Sequence, residues 1–142
     1  MFSITEYLTH EHRECDELYA RVEELLKKGQ WEDAKRAFEE FKAETLKHFQ
    51  REEEVLFPEF EGRTGIVMGP TQVMRMEHAQ ARELIERMER ALEEKKEKEF
   101  FAIGDTFMIL IQQHNLKEEQ ILYPMCDQHL DPSEIVQKME NL

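Results

Sequence analysis

Two copies of one polar pattern, offset by 66 residues, constrain this chain more tightly than its composition does. His12 maps onto His78, His48 onto His114 and Glu52 onto Glu118. The flanks follow, Glu11-His12 matching Glu77-His78 and Leu56-Phe57-Pro58 matching Leu122-Tyr123-Pro124. In each copy the second histidine and the carboxylate lie four residues apart, so on a helix both project from one face. His12 lies 17 residues before Gly29 and His48 lies 19 after it, while His78 and His114 are each 18 from Lys96. At about 1.5 Å per residue, four antiparallel helices turning at Gly29 and Lys96 would carry all four imidazoles to one level, roughly 25–30 Å from the turns. The spacing therefore predicts an all-α fold, an up-down-up-down antiparallel four-helix bundle with a short C-terminal helix.

Local signals divide the chain the same way. Ser3 with Glu6 is a capping-box signature, and Gly29 after Lys27-Lys28 is a helix stop, with Ile4, Leu8, Leu18, Val22, Leu25 and Leu26 at helical spacing between them. A second helix is predicted from Trp31 to Glu61, with Pro58 kinking or tightening its last turn. The segment Glu61 to Gly69, with three glycines, reads as the one long loop. Pro70 suits the first turn of a third helix, which becomes charged near Lys95-Lys96; a fourth follows from about Glu99 to His129, and a short one from Pro132 to Asn141. Residues 1–142 read as a single domain, long enough to bury a core.

The net charge of −13 argues against a nucleic-acid partner and against anionic lipid. Phe100 to Ile111, the longest apolar run, is too short to span a bilayer and contains Gly104 and Asp105. Cys15 and Cys126, far apart and without a secretory signal ahead of them, read as reduced thiols in a cytoplasmic protein, a monomer or weak dimer.

Four imidazoles and two carboxylates suit a pair of first-row transition-metal ions. A carboxylate has two oxygens and can bridge two cations, offsetting their repulsion. Imidazole is a neutral donor of intermediate softness. Two bridging Glu and two His per ion leave positions open for a small ligand. A duplication made for packing would repeat the apolar positions as clearly as the polar ones, and this one does not: Leu8 aligns with Met74, Cys15 with Ala81 and Glu44 with Leu110.

The order His12, His48-x-x-x-Glu52, His78, His114-x-x-x-Glu118, with Leu-Phe-Pro or Leu-Tyr-Pro after each Glu, resembles the hemerythrin-like (HHE cation-binding) domains over nearly the whole chain. The resemblance implies two iron ions, oxo- or hydroxo-bridged, with His12, His48, His78 and His114 as terminal ligands and Glu52 and Glu118 as bridges. Met74 stands where oxygen-carrying hemerythrins have a fifth histidine, and Glu118 follows its histidine at four residues where theirs is an Asp at five. The symmetric four-His, two-Glu form is similar to bacterial relatives assigned to nitric oxide, peroxide or iron handling. The expected ligand is a small diatomic or a peroxide, with an unidentified electron donor. Three readings follow: redox turnover resembling a nitric oxide reductase, peroxidase or catalase; a non-catalytic sensor or store of oxygen, nitric oxide or iron; and a zinc-bound or metal-free interaction bundle.

Around the six, Glu44 reads as solvated or salt-bridged rather than as a further ligand, and Cys15 as a small core residue rather than pocket lining. Tyr7, Tyr19 and Tyr123 are candidates for an oxygen pocket, each read first as core or rim. His10 and His129 fall outside the site. Glu53 and Glu119 read as solvent residues, and Met74, Met76, Met88 and Met108 as core filling.

Overall fold

The computed structural model describes residues 2–142, all helix and connecting turns with no strand among them. Helix α1 spans Ile4–Lys27 and α2 spans Trp31–Arg51. Without a break α2 continues through a π-helical segment, Glu52–Leu56, into α3, Phe57–Thr64. The second half repeats the plan: α4, Pro70–Glu93, then α5, Glu97–Lys117, a π segment, Glu118–Leu122, and α6, Tyr123–His129. Helix α7, Pro132–Glu140, completes the chain and packs on α1 and on the first π segment. The pairs α1·α2 and α4·α5 dominate the packing, as short connections between antiparallel neighbours require.

The capping box at Ser3 and Glu6 is formed. The carboxylate of Asp127 adds to it from α6, accepting from the Ile4 and Thr5 amides at 2.8 and 3.1 Å, so the free N–H groups of α1 are tied to the far end of the chain. The duplication reaches the turns, where Gly29 and Lys95, again 66 apart, both take positive φ, +72° and +57°.

Two boundaries differ from the sequence expectation. The second rod runs past Glu61 to Thr64, taking Gly62 into helix, and ends at Gly65 with φ +75°, so the loop shrinks to residues 65–69. Helix α5 begins at Glu97, ahead of Glu99. Pro58 does not tighten the rod; the turn before it is widened. The Phe57 N–H bonds to the Glu52 carbonyl and the Tyr123 N–H to that of Glu118, both i to i+5. Proline has no N–H, and in regular α geometry its ring meets the carbonyl four residues back. The extra residue in the preceding turn relieves that clash in both copies, beginning at the two carboxylates.

The core is in two parts. One, toward the Gly29 and Lys95 turns, is built on Phe38, Phe41, Ile85, Met88, Phe100 and Phe107. The other, toward the chain ends, holds Ile4, Leu8, Phe57, Phe60, Met74 and Cys126, with Ile135 and Met139 of α7 against it. Between them lies a layer of buried polar residues. Met88 and Met74 fill core as expected and Met108 packs at its edge, but Met76 is exposed.

Candidate metal centre

The polar layer consists of His12 from α1, His48 from α2, His78 from α4, His114 from α5, and Glu52 and Glu118 from the first turns of the π segments, none more than 4% exposed. The four-helix layer expected from the counting argument is formed: the rings of His12 and His48 are 4.7 Å apart and those of His78 and His114 4.9 Å. Their donor atoms fall into two groups, His12, His48, Glu52 and Glu118 in one and Glu52, His78, His114 and Glu118 in the other. Within each group the donor atoms lie within 4.8 Å of one another, and the two carboxylates belong to both.

His12 Nε2 meets Glu118 Oε1 at 3.1 Å, but the other donors face one another without satisfying one another. The Nε2 atoms of His48, His78 and His114, with Glu52 Oε1 and Glu118 Oε2, are buried and make no hydrogen bond. Yet His48 Nε2 and His78 Nε2 lie 3.3 and 3.1 Å from Glu52 Oε1, and His114 Nε2 lies 3.2 Å from Glu118 Oε1. Buried polar atoms are ordinarily paired. Five that are not, converging on two small volumes, fit cations held by imidazole nitrogen and carboxylate oxygen.

Every histidine is oriented by a second carboxylate. The Nδ1–H of His12 donates to Glu119 at 2.7 Å, that of His48 to Glu11 at 2.9 Å, that of His78 to Glu53 at 2.6 Å and that of His114 to Glu77 at 2.9 Å. This fixes the tautomer that leaves Nε2 free to ligate. Three of these carboxylates are themselves gripped: Arg82 takes Glu53 through two bonds of 2.8 Å, Arg51 pairs with Glu11, and Lys117 holds Glu77 at 2.6 Å. Glu53 and Glu119 are therefore not solvent residues. Each stands next to an inward-facing carboxylate, and the widened π turn brings both neighbours into play.

Tyr123 extends the sequence reading most. Its ring is buried core, as read, but its hydroxyl donates to Glu52 Oε2 at 2.6 Å and lies 2.9 Å from Glu118 Oε1 and 3.1 Å from His12 Nε2, so the phenol reaches into the polar layer. The equivalent residue, Phe57, stacks on His78 and carries no hydroxyl. Tyr19 is core, as read, though it also reaches the cavity described below; Tyr7 is partly buried beside the core toward the chain ends, the lower core, opposite the upper core at the turns. Cys15 lines that cavity and is only partly buried, against the expectation of a core residue. Glu44 is exposed, and so are His10, paired with Glu14, and His129.

Electrostatics in the layer follow from the close carboxylates. Burial opposes charge on His114, but Glu118 and Glu52 outweigh it and push its pKa up to about 9. The same contest, won by Glu52, Glu11 and Glu118, holds His48 well above the usual histidine range. His12 is raised too, burial being overcome by Glu118 and Glu119. Burial works against the ionised form of Glu53 as well, but His78 and Arg82 bring it down to about 2. Burial and the two carboxylates push Tyr123 well up, so its phenol stays protonated.

A cavity of about 20 Å³, enough for one or so water-sized molecules, adjoins the His12 and His48 rings. Its walls are Phe41, Phe49, Phe107 and Ile111, with Cys15, Tyr19 and Thr45 among them. Among the described residues no helix is long and apolar enough to cross a membrane. A family model described as Hemerythrin HHE cation binding domain matches residues 3–126. Comparison with curated proteins gives no match, and neither does comparison with solved structures.

Proposed function

The chain belongs to the hemerythrin HHE cation-binding domain family, and from that premise we propose that it is a non-haem di-iron protein that binds or reacts with a small diatomic or peroxide ligand. The observation that carries the reading is the sharing of Glu52 and Glu118 between two groups of buried donors. His12 and His48 would hold one ion, His78 and His114 the other, and the two carboxylates would bridge them. Iron, when bound, supplies electrons and open coordination positions.

The chain's own residues do the rest. Glu11, Glu53, Glu77 and Glu119 hold the four imidazoles in the ligating tautomer. Tyr123 keeps a protonated hydroxyl between the bridging carboxylates, where it can donate to an oxygen atom. The two apolar cores on either side exclude water and confine reactive species. The cavity lies on the His12/His48 side, which makes that position the one open to an outside ligand. Met74, packed in the lower core, brings no fifth histidine, which favours reaction with or sensing of nitric oxide or peroxide over oxygen carriage.

Metal analysis of protein purified without oxygen is expected to find about two irons per chain. One zinc, or no metal, would sink the reading. Optical spectra after adding dioxygen, nitric oxide or peroxide then separate a stable adduct, expected of a sensor or store, from turnover.

A further inference from the structure

Among the residues around the cavity the duplication breaks down at several positions. Cys15, Tyr19 and Thr45 line it, and the residues 66 positions later are Ala81, Ile85 and Ile111. Phe41 and Phe107, equivalent to each other, line it together. The cavity thus carries a hydroxyl, from Thr45, at a position where the other copy has the apolar Ile111.

Thr45 is the most telling of the three. A threonine inside a helix commonly returns its hydroxyl to the carbonyl one turn back. Thr64 and Thr106 do so, to Phe60 and Ala102. Thr45 is 3% exposed and lines the cavity, where its Oγ1 bonds no oxygen or nitrogen atom and lies beside the Cys15 thiol, a weak partner. An unpaired buried hydroxyl is unfavourable, and an apolar residue of similar shape would avoid it. Ile111, at the equivalent place, does.

We propose that Thr45 determines which ligand occupies the His12/His48 position, its hydroxyl donating a hydrogen bond to a neutral, water-sized oxygen- or nitrogen-containing molecule in the cavity. An apolar molecule of the same size gains nothing from that hydroxyl, so the cavity favours hydrogen-bond acceptors. The inference rests on the di-iron reading for the identity of the ligand's anchor, but the cavity and the Thr45 hydroxyl exist without the metal.

Nitric oxide bound to the reduced, iron-loaded protein is the probe. Infrared spectra and release rates are compared for wild type, Thr45→Val, Thr45→Ser and Ile111→Val. Loss of the hydroxyl in Thr45→Val is expected to raise the N–O stretching frequency and to speed release about fivefold, the effect of one hydrogen bond. Thr45→Ser and Ile111→Val should stay near wild type. A Thr45→Val protein that holds its iron yet matches wild type in both readouts overturns the inference. Metal-free crystals give a readout without iron: an ordered water is expected on Thr45 Oγ1 in wild type and none in Thr45→Val. If no iron loads, the di-iron reading fails, and these crystals decide the cavity by themselves. A wild-type cavity without an ordered molecule at Thr45 then overturns the inference.

Discussion

His78 and His12 occupy equivalent places and are held very differently. His78 lies between two rings, Phe49 at 4.0 Å and Phe57 at 5.7 Å, and its carboxylate partner is locked by the Arg82 guanidinium, which also covers the Phe49 face. His12 stacks on Tyr123 at 5.6 Å, its partner Glu119 is paired with no lysine or arginine among the described residues, and a cavity adjoins it. Where Arg82 stands on one side, Asp16 stands on the other, bonded to Gln112 rather than to Glu119. The donor set is thus symmetric, while divergence around it puts an Arg clamp behind His78 and a cavity beside His12. A centre that held metal and admitted a ligand would gain from dividing those tasks.

The sharpest test of that division asks what the halves share. Glu118→Ala removes a donor from both groups and is expected to leave less than about one metal per chain, whereas His12→Ala or His78→Ala should leave about one. Glu118→Ala retaining full stoichiometry by mass spectrometry would break the picture of two positions joined by common carboxylates.

Protons give the next largest effect. In the metal-free protein His114, with its pKa near 9, and His48, held well above the usual histidine range, are charged at neutral pH, so loading must displace protons. Apparent affinity should rise roughly tenfold per pH unit for each proton displaced, across the range below about 9. Stability of the metal-free protein runs the opposite way. The raised pKa of His114 stabilises the fold fully below about 6.5, its unfolded value, and that contribution is lost as pH rises through about 9. Melting temperatures of the metal-free protein should therefore fall between those limits; a flat profile would contradict the charged layer.

Arg82→Ala probes the clamp. Removing a group that orients a ligand indirectly weakens metal binding by about tenfold or more. The loss is expected at the His78/His114 position alone, read as one weakened step of two in a metal titration. Asp16→Ala, on the accessible side, should leave both steps in place. Equal weakening of both would show that the halves are not held independently.

How far this centre was legible depends on what the repeat marks. The six inward residues and the bundle could be read because a polar pattern recurring against a looser apolar one has no packing explanation, and helical rise fixes the common level. Glu53 and Glu119 repeat as well, but regular helix geometry turns a residue beside an inward carboxylate some 100° away. Only the π turns change that, and their signal, a proline six residues after each Glu, reads first as a kink. Tyr123 could be named only as one of three tyrosines, because an aromatic next to Leu and Pro is core, as Phe57 is too, and nothing in the sequence aims its hydroxyl at the carboxylates. The Arg82 and Asp16 difference has no sequence signature, since a charged residue on an exposed helix face announces no partner until the neighbouring helix is in place.

The smallest expected effect lies farthest from the metals, at the two turns. Gly29 and Lys95 adopt the same left-handed conformation, which glycine accepts without cost and a residue with Cβ does not. No atom lies within 4 Å of where a Cβ on Gly29 would be, so the difference between the turns is one of backbone alone. Lys95→Gly should stabilise the protein by up to about 1 kcal/mol and Gly29→Ala should destabilise it by about as much, measured by denaturant unfolding of the metal-free form. Neither should alter metal stoichiometry, because both turns lie beyond the upper core from the polar layer. A change in stoichiometry from either variant would mean that the distant turns set the spacing of the donors, and the independence of scaffold and centre would fail there.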